Sequence, residues 1–310
     1  MSVSCKIRAV IACLLWGSAF AGAKIAFNHV EPIFLSGLRF SLAGMLLIPI
    51  IIIKKENLRN QLKHWRFLLL FAFVQTFLQY GIFFMGLYKV PGAISAIIIG
   101  AGPLFVALMA HLTMKNDKLT LRKIAAVIIG IAGVVFISLT KSNISVKNPA
   151  FFVGVGLLLL SNIIGSYTNI MVIKRNSYKI SPVILTSFAN FTGGIMLLIT
   201  AFIVEKPEIK VFPADFYFAL IWLAIIPAGA FTLWYGVLQS PGVKVSELNV
   251  WKFIVPVTGC ILSWILVAGE TPDTHSIIGI IIIILALWLL QTKRKLNKLK
   301  SFFIRKKLKF

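Results

Sequence analysis

Residues 245–257, VSELNVWKFIVPV, decide how the chain is interpreted, because they place polar and charged side chains inside an otherwise apolar run. Glu247, Asn249 and Lys252 lie within this run, and Pro256 follows one turn later. An ionisable side chain at membrane depth costs about 2.5 kcal/mol or more, so it usually faces a water-filled cavity or a polar partner. Asn249 and Lys252 share one helix face at their three-residue spacing. We interpret them as the centre of a functional site.

Two alternatives remain open for the charged residues of this stretch. Glu247 is near the predicted cytoplasmic end of its helix, where the positive end of the helix dipole stabilises a carboxylate without any functional role. Lys252 lies deeper, and its long side chain could extend along the helix so that the ammonium group reaches an interface. If the site is functional, Glu247 is the candidate proton-coupling residue.

The composition identifies a membrane protein. The chain has 310 residues, of which 59% are hydrophobic and 13% charged, and its mean hydropathy is +0.93. A bilayer requires apolar helical runs of about 20 residues, and the chain contains many such runs. We predict an all-α membrane protein with ten transmembrane helices. They cover residues 8–27, 33–53, 66–87, 92–113, 121–140, 151–172, 183–204, 215–237, 246–267 and 276–292.

The net charge of +23 is unevenly distributed along the chain. Most Lys and Arg residues fall in alternate connections and in the tail, which assigns those segments and both termini to the cytoplasm. We therefore expect a multi-pass protein of the cell inner (plasma) membrane. The basic tail, residues 293–310, is expected to contact anionic lipid and not nucleic acid. The three Cys and four His residues show no ligand spacing, so neither a metal nor another cofactor is expected.

Other polar and aromatic residues lie inside the predicted spans. Arg39 is about 10 Å into the second span at 1.5 Å per residue, where it requires an anion, carbonyl groups or water. Interhelical hydrogen bonding is the alternative role for the amides, and anchoring to backbone carbonyls or to Glu31 is the alternative for Arg39. The candidate substrate-binding residues are Lys252, Asn249, Arg39, Gln75, Gln79, Asn162, Asn169, Trp234 and Tyr235.

An internal repeat relates the two halves of the chain. With a shift of about 150 residues, PIFL at 32–35 recurs as PVIL at 182–185, and Gly44 falls on Gly194. With three inserted residues, Pro103 then meets Pro256. Each half contains five predicted spans, and an odd number places the second copy upside down in the membrane. The predicted units are residues 1–145, residues 146–292 and the tail, giving an inverted five-plus-five repeat.

Several short motifs occur at matching places in this framework. They are Trp16-Gly17-Ser18-Ala19-Phe20, Arg39-Phe40, Pro103-Leu104-Phe105, Pro256 and Gly269-Glu270. Together with the repeat, these motifs resemble the EamA-type branch of the drug/metabolite transporter superfamily over residues 9–291. The resemblance implies a gradient-linked carrier, often an exporter, with a central cavity between the halves. This chain departs from the family by having Trp251 and Lys252 before the proline.

We predict a secondary active transporter that exports amino acids or other small organic metabolites by alternating access, with proton coupling as one option. Lys252 favours a substrate that bears a carboxylate. A passive channel is the alternative, although it should show rings of repeated polar residues. A membrane-embedded lipid-modifying enzyme would require a nucleophile, a carboxylate pair or metal ligands, which the spans do not offer, so no enzyme is expected. The protein should be a monomer or a homodimer.

Overall fold

The protein is all-helical in the part of the chain that the structure describes. The computed structural model describes residues 1–113, 149–243 and 245–291, with isolated positions between 121 and 136. Seven described helices are long and apolar enough to cross a membrane, which makes this a multi-pass membrane protein. They are α1 (Val3–Ala26), α2 (Pro32–Ile53), α3 (Trp65–Lys89), α4 (Gly92–Thr113), α5 (Pro149–Lys174), α6 (Pro182–Val204) and α7 (Ala214–Leu238).

Two further apolar helices complete the described bundle. Helix α8 runs through Val245–Leu248, Asn249–Phe253 and Ile254–Leu266, and α9 covers Thr274–Gln291. Short helices at Leu58–Leu62 and Asn176–Tyr178 lie in the connections that follow α2 and α5. The predicted span over 121–140 lies largely outside the described residues, and the tail 293–310 lies wholly outside them. The prediction of ten spans therefore stays a prediction.

Helices α2 and α6 cross tightly through the glycines that the repeat pairs. A Cβ atom added to Gly44 would lie 2.5 Å from the backbone nitrogen of Phe191, and one added to Gly194 would lie 2.4 Å from that of Ser41. Residue 44 of α2 faces residue 191 of α6, and residue 41 of α2 faces residue 194 of α6. The residue number rises along one helix as it falls along the other, so the two helices are antiparallel. Small residues allow backbones to approach this closely, and packing of this kind drives helix association in membranes.

A glutamate that follows each helix of this pair contacts the start of the other. The carboxylate of Glu205, which follows α6, accepts hydrogen bonds from the N–H groups of Ile33 and Phe34 at 2.8 Å each. The first N–H groups of a helix have no partner within it, so Glu205 caps α2. At the opposite end, Glu56 follows α2 and accepts a hydrogen bond from the hydroxyl of Ser181, the residue before α6, at 2.7 Å.

Helices α4 and α8 are both interrupted just before a proline. Helix α4 consists of Gly92–Gly100 and Gly102–Thr113, with Pro103 directly after the break. Helix α8 narrows to a 3-10 helix over Asn249–Phe253 before it reaches Pro256. Proline cannot donate the N–H that continues the helical hydrogen-bond pattern, which explains the position of both breaks.

The two interrupted helices meet where they are broken. A Cβ atom on Gly100 would lie 2.5 Å from the ring of Pro256, so only glycine fits there without displacement. The side-chain amide of Asn162 on α5 donates to the carbonyl oxygen of Ile98 at 2.8 Å, just before the break in α4. Breaks in membrane helices require such partners, because lipid offers none. The breaks also open space beside them for a cavity.

Candidate substrate cavity

A cavity lies among α1, α2, α3, α4, α5, α7 and α8. Its empty volume is about 860 Å³, including the open space at its mouth. Its main polar and aromatic lining residues are Trp16, Arg39, Gln79, Tyr80, Ser161, Asn162, Ser166, Thr168, Asn169, Phe231, Trp234, Tyr235 and Lys252.

The ammonium group of Lys252 is held between tryptophan rings. It lies 5.0 Å from the ring centroid of Trp234 and 5.5 Å from that of Trp16. These two rings meet edge to face at 5.0 Å. Among the described residues, no Asp or Glu lies within 4 Å of this ammonium group. The ring faces attract the cation but do not neutralise it, so it remains available to an anion.

The tryptophan beside Lys252 is fixed by hydrogen bonds from α5. The indole N–H of Trp234 donates to the side-chain oxygen of Asn169 at 2.9 Å. The amide N–H of Asn169 in turn donates to the carbonyl oxygen of Gly165 at 2.8 Å. This chain of contacts orients the Trp234 ring toward Lys252 and satisfies the polar groups of both side chains.

The guanidinium group of Arg39 forms a second positive centre in the cavity. Only 2% of the residue is exposed, and it packs over the rings of Phe40 at 4.8 Å and Phe84 at 4.9 Å. Its Nε and Nη1 atoms have no hydrogen-bond partner within the described part of the chain. A buried guanidinium retains its charge and prefers planar anions that accept two hydrogen bonds. This geometry can accommodate an anion at Arg39.

An aromatic wall extends from the Arg39 side of the cavity to the Lys252 side. The ring of Tyr80 lies 4.7 Å from that of Phe40 and 5.6 Å from that of Phe231. Phe231 then contacts Trp16 with ring centroids 5.4 Å apart. These residues form continuous apolar surface, and their quadrupoles also favour contact with flat ligands.

Tyr80 ends a segment of unusual helical geometry. Residues Phe73–Tyr80 of α3 form a π-helix, in which hydrogen bonds join residues five apart. Such segments are rare and often occur at functional sites. Here the segment brings Gln79 and Tyr80 to the cavity, and Gln79 packs against Gly165 of α5.

Seven of the residues predicted for the substrate site line the cavity. They are Arg39, Gln79, Asn162, Asn169, Trp234, Tyr235 and Lys252. Gln75 is outside the lining: it is buried and accepts a hydrogen bond from the Thr76 hydroxyl at 2.6 Å. Asn249 is also outside, and its amide donates to the carbonyl oxygen of Val245 at 2.9 Å. The Glu247 side chain lies outside what the structure describes.

Sequence reasoning identified Trp234 and Tyr235 but missed other aromatic residues of the lining. Trp16 belongs to the motif at the start of the chain, and Tyr80 follows Gln79 directly, but neither was assigned to the site. Phe231 lies three and four residues before Trp234 and Tyr235, which places all three on one helix face. That spacing is the signal that could have identified Phe231.

Comparison with known proteins gives consistent matches along the chain. A sequence profile described as the EamA-like transporter family matches residues 4–139 and again residues 152–292. The uncharacterized transporter YvbV of Bacillus subtilis is 24% identical over 297 residues, covering 95% of this chain and 93% of that protein. Protein PagO of Salmonella typhimurium is 25% identical over 297 residues and covers 95% of each chain.

Two further matches concern a named substrate and the fold. A protein of Chlamydia trachomatis named S-adenosylmethionine/S-adenosylhomocysteine transporter is 24% identical over 195 residues, covering 62% of this chain and 59% of its own. A solved crystal structure superposes with a TM-score of 0.73 over 96% of this chain and 99% of that one, at 20% identity. At this identity the superposition shows a shared fold.

Proposed function

We propose that this chain, which belongs to the EamA-like transporter family, is a secondary active transporter that exports amino acids or other small organic metabolites. The observation that carries the proposal is the cavity between the helices with two cations, Arg39 and Lys252, that have no acidic partner among the described residues. A charged side chain inside the membrane costs free energy, so a charge in this position usually serves to bind a solute or an ion.

Alternating access between two inverted halves is the proposed mechanism. Three features support an inverted five-plus-five arrangement with units at 1–145 and 146–292. The matched glycines meet at one antiparallel crossing, the start of each helix of the α2–α6 pair contacts a glutamate that follows the other, and the two proline-bearing helices both depart from α-helical geometry shortly before their proline. A site between such halves can be exposed to each side of the membrane in turn without a continuous pore.

The substrate is proposed to carry a carboxylate, which either the guanidinium of Arg39 or the ammonium of Lys252 can bind. S-adenosylmethionine, for which the chlamydial relative is named, contains an amino-acid carboxylate, which is consistent with this chemistry. Gln79, Asn162, Asn169, Trp234 and Tyr235 complete the proposed binding surface. Glu247 remains the candidate for proton coupling.

The proposed location is the cell inner (plasma) membrane, with both termini in the cytoplasm. The positive-inside distribution of Lys and Arg supports this orientation. The protein is proposed to act as a monomer or a homodimer, because each chain contains a cavity lined by its own helices. Transport without chemical change separates this proposal from an enzymatic role, in which the solute would be recovered altered.

The test begins with purified protein and a panel of amino acids, organic acids and nucleosides. A ligand that binds the folded state raises the melting temperature, so a thermal-stability screen identifies a solute for transport assays. Uptake of that solute is then measured in proteoliposomes as a function of its concentration. A transporter gives saturable flux that unlabelled solute competes, whereas a passive channel gives flux that rises linearly.

The decisive variant is Lys252→Ala, with Lys174→Ala as the control. Lys174 ends α5 and is exposed, outside the cavity lining. We expect Lys252→Ala to abolish saturable flux while the protein elutes as wild type in size-exclusion chromatography, and Lys174→Ala to transport normally. Wild-type flux through Lys252→Ala would remove this residue from the mechanism.

A further inference from the structure

The two cations of the cavity occupy separate aromatic environments. Arg39 packs over Phe40 and Phe84, whereas Lys252 packs over Trp16 and Trp234, so the cations share no ring. Tyr80 and Phe231 lie between these two sets of rings, as the sequence of ring contacts shows. The cavity therefore has two positive poles joined by apolar surface.

The charge of the two poles is not balanced within the described lining. No Asp or Glu contributes to it, and the unpaired Nε and Nη1 atoms of Arg39 are buried. A ligand with a single anionic group would neutralise one pole and leave the other as a desolvated cation without a counter-ion. A ligand with two anionic groups would neutralise both at once.

We propose that the substrate class is an organic dianion, in which two carboxylate or similar groups are joined by an apolar and preferably planar spacer. This inference rests on the proposed transport function and specifies its substrate. One anionic group binds the guanidinium of Arg39 through two parallel hydrogen bonds, and the other binds the ammonium of Lys252 as a point charge. The spacer lies along Tyr80, Phe231 and Trp16, whose ring faces and edges favour flat apolar groups.

The test compares matched pairs of probes that differ by one carboxylate. Terephthalate is compared with 4-methylbenzoate, and biphenyl-4,4′-dicarboxylate with biphenyl-4-carboxylate, which gives two spacer lengths. Dissociation constants are measured by titration calorimetry on the full-length protein in detergent at fixed ionic strength, because salt screens charge. We expect at least one dianion to bind about tenfold or more tightly than its monoanion, which corresponds to about 1.4 kcal/mol.

Single-charge variants assign the two poles. In Arg39→Gln and in Lys252→Gln, the dianion and its monoanion should have about equal dissociation constants, because only one cation remains. Arg39→Lys keeps the charge and should retain a preference for the dianion. Size-exclusion chromatography and circular dichroism verify that each variant is folded. The comparison within the wild-type protein does not depend on these variants.

The outcomes separate this inference from the proposed function. If both dianions bind the wild-type protein no more tightly than their monoanions, the dianion inference is overturned, and saturable transport of another solute can still stand. If a dianion binds preferentially but no solute crosses the proteoliposome membrane, transport is refuted while the two-pole site is supported. A preference that persists in both Gln variants would also overturn the assignment of the poles.

Discussion

The tight crossing of α2 and α6 gives a prediction whose size follows from the structure. Replacing Gly44 or Gly194 with alanine adds one methyl group at the crossing. The new Cβ atom would lie 2.5 Å from the Phe191 nitrogen in the first case and 2.4 Å from the Ser41 nitrogen in the second. Both neighbours are backbone atoms, which cannot rotate away as the end of a side chain can. The helices must therefore separate by about an ångström or more to restore ordinary contact distances near 3.5 Å.

Overpacking of this kind costs about 1–3 kcal/mol in protein interiors. Alanine also favours a helix over glycine by up to about 1 kcal/mol, which acts in the opposite direction. A control that gains the helix propensity without the clash is Gly156→Ala, because nothing lies within 4 Å of a Cβ at that position. We expect the free energy of unfolding of Gly44→Ala and of Gly194→Ala to be about 1–3 kcal/mol lower than that of this control.

The assay is the free energy of unfolding from SDS titration in mixed micelles, followed by tryptophan fluorescence. The double variant Gly44→Ala/Gly194→Ala provides a second measure of the crossing. Either methyl group alone separates the helices, so the double variant should lose less than the sum of the single losses. Equal stability of Gly44→Ala and Gly156→Ala would refute the tight crossing, and so would strict additivity in the double variant.

Two further predictions use the same assay. Asn162→Ala should lower the free energy of unfolding by about 1 kcal/mol, because the Ile98 carbonyl loses the side-chain donor of Asn162 and keeps the longer bond from the Ala101 N–H at 3.2 Å. Wild-type stability of this variant would show that the Asn162 hydrogen bond does not stabilise the break in α4, and Ser161→Ala is the neighbouring control. Glu205→Gln should cost about 1 kcal/mol, because it weakens the cap at the start of α2. Glu208→Gln, at an exposed position, should leave stability unchanged, and an equal loss in both variants would contradict the capping role.

The helical class and the positions of the interrupted helices could be predicted from the sequence. Apolar runs near 20 residues have one stable outcome in a membrane, and a proline removes the donor that continues a helix. Pro103 and Pro256 therefore indicated both breaks. The cations at Arg39 and Lys252 were also identifiable, because a charge inside an apolar run requires a special environment.

The exact lining of the cavity could not be predicted, because it depends on how far along each helix the cavity extends. Gln75 and Gln79 share a face at their four-residue spacing, but Gln75 lies one turn earlier on α3, where it is buried and accepts a hydrogen bond from Thr76. Only Gln79 reaches the cavity. Asn249 precedes Lys252 by one turn of 3-10 helix, which displaces it by about 6 Å along the axis.

The hydrogen bonds at the two ends of the α2–α6 pair restrict which helices can move during a transport cycle. Sliding or splaying this pair would strip the N–H groups of Ile33 and Phe34 from Glu205 at one end and the Ser181 hydroxyl from Glu56 at the other. These hydrogen bonds thus oppose both sliding of α2 along α6 and separation of their ends. Local bending is easier in α4 and α8, where the α-helical hydrogen-bond pattern is interrupted before Pro103 and changes to a 3-10 pattern before Pro256. The architecture therefore combines one rigid helix pair, α2 and α6, with two helices, α4 and α8, that can bend near their prolines.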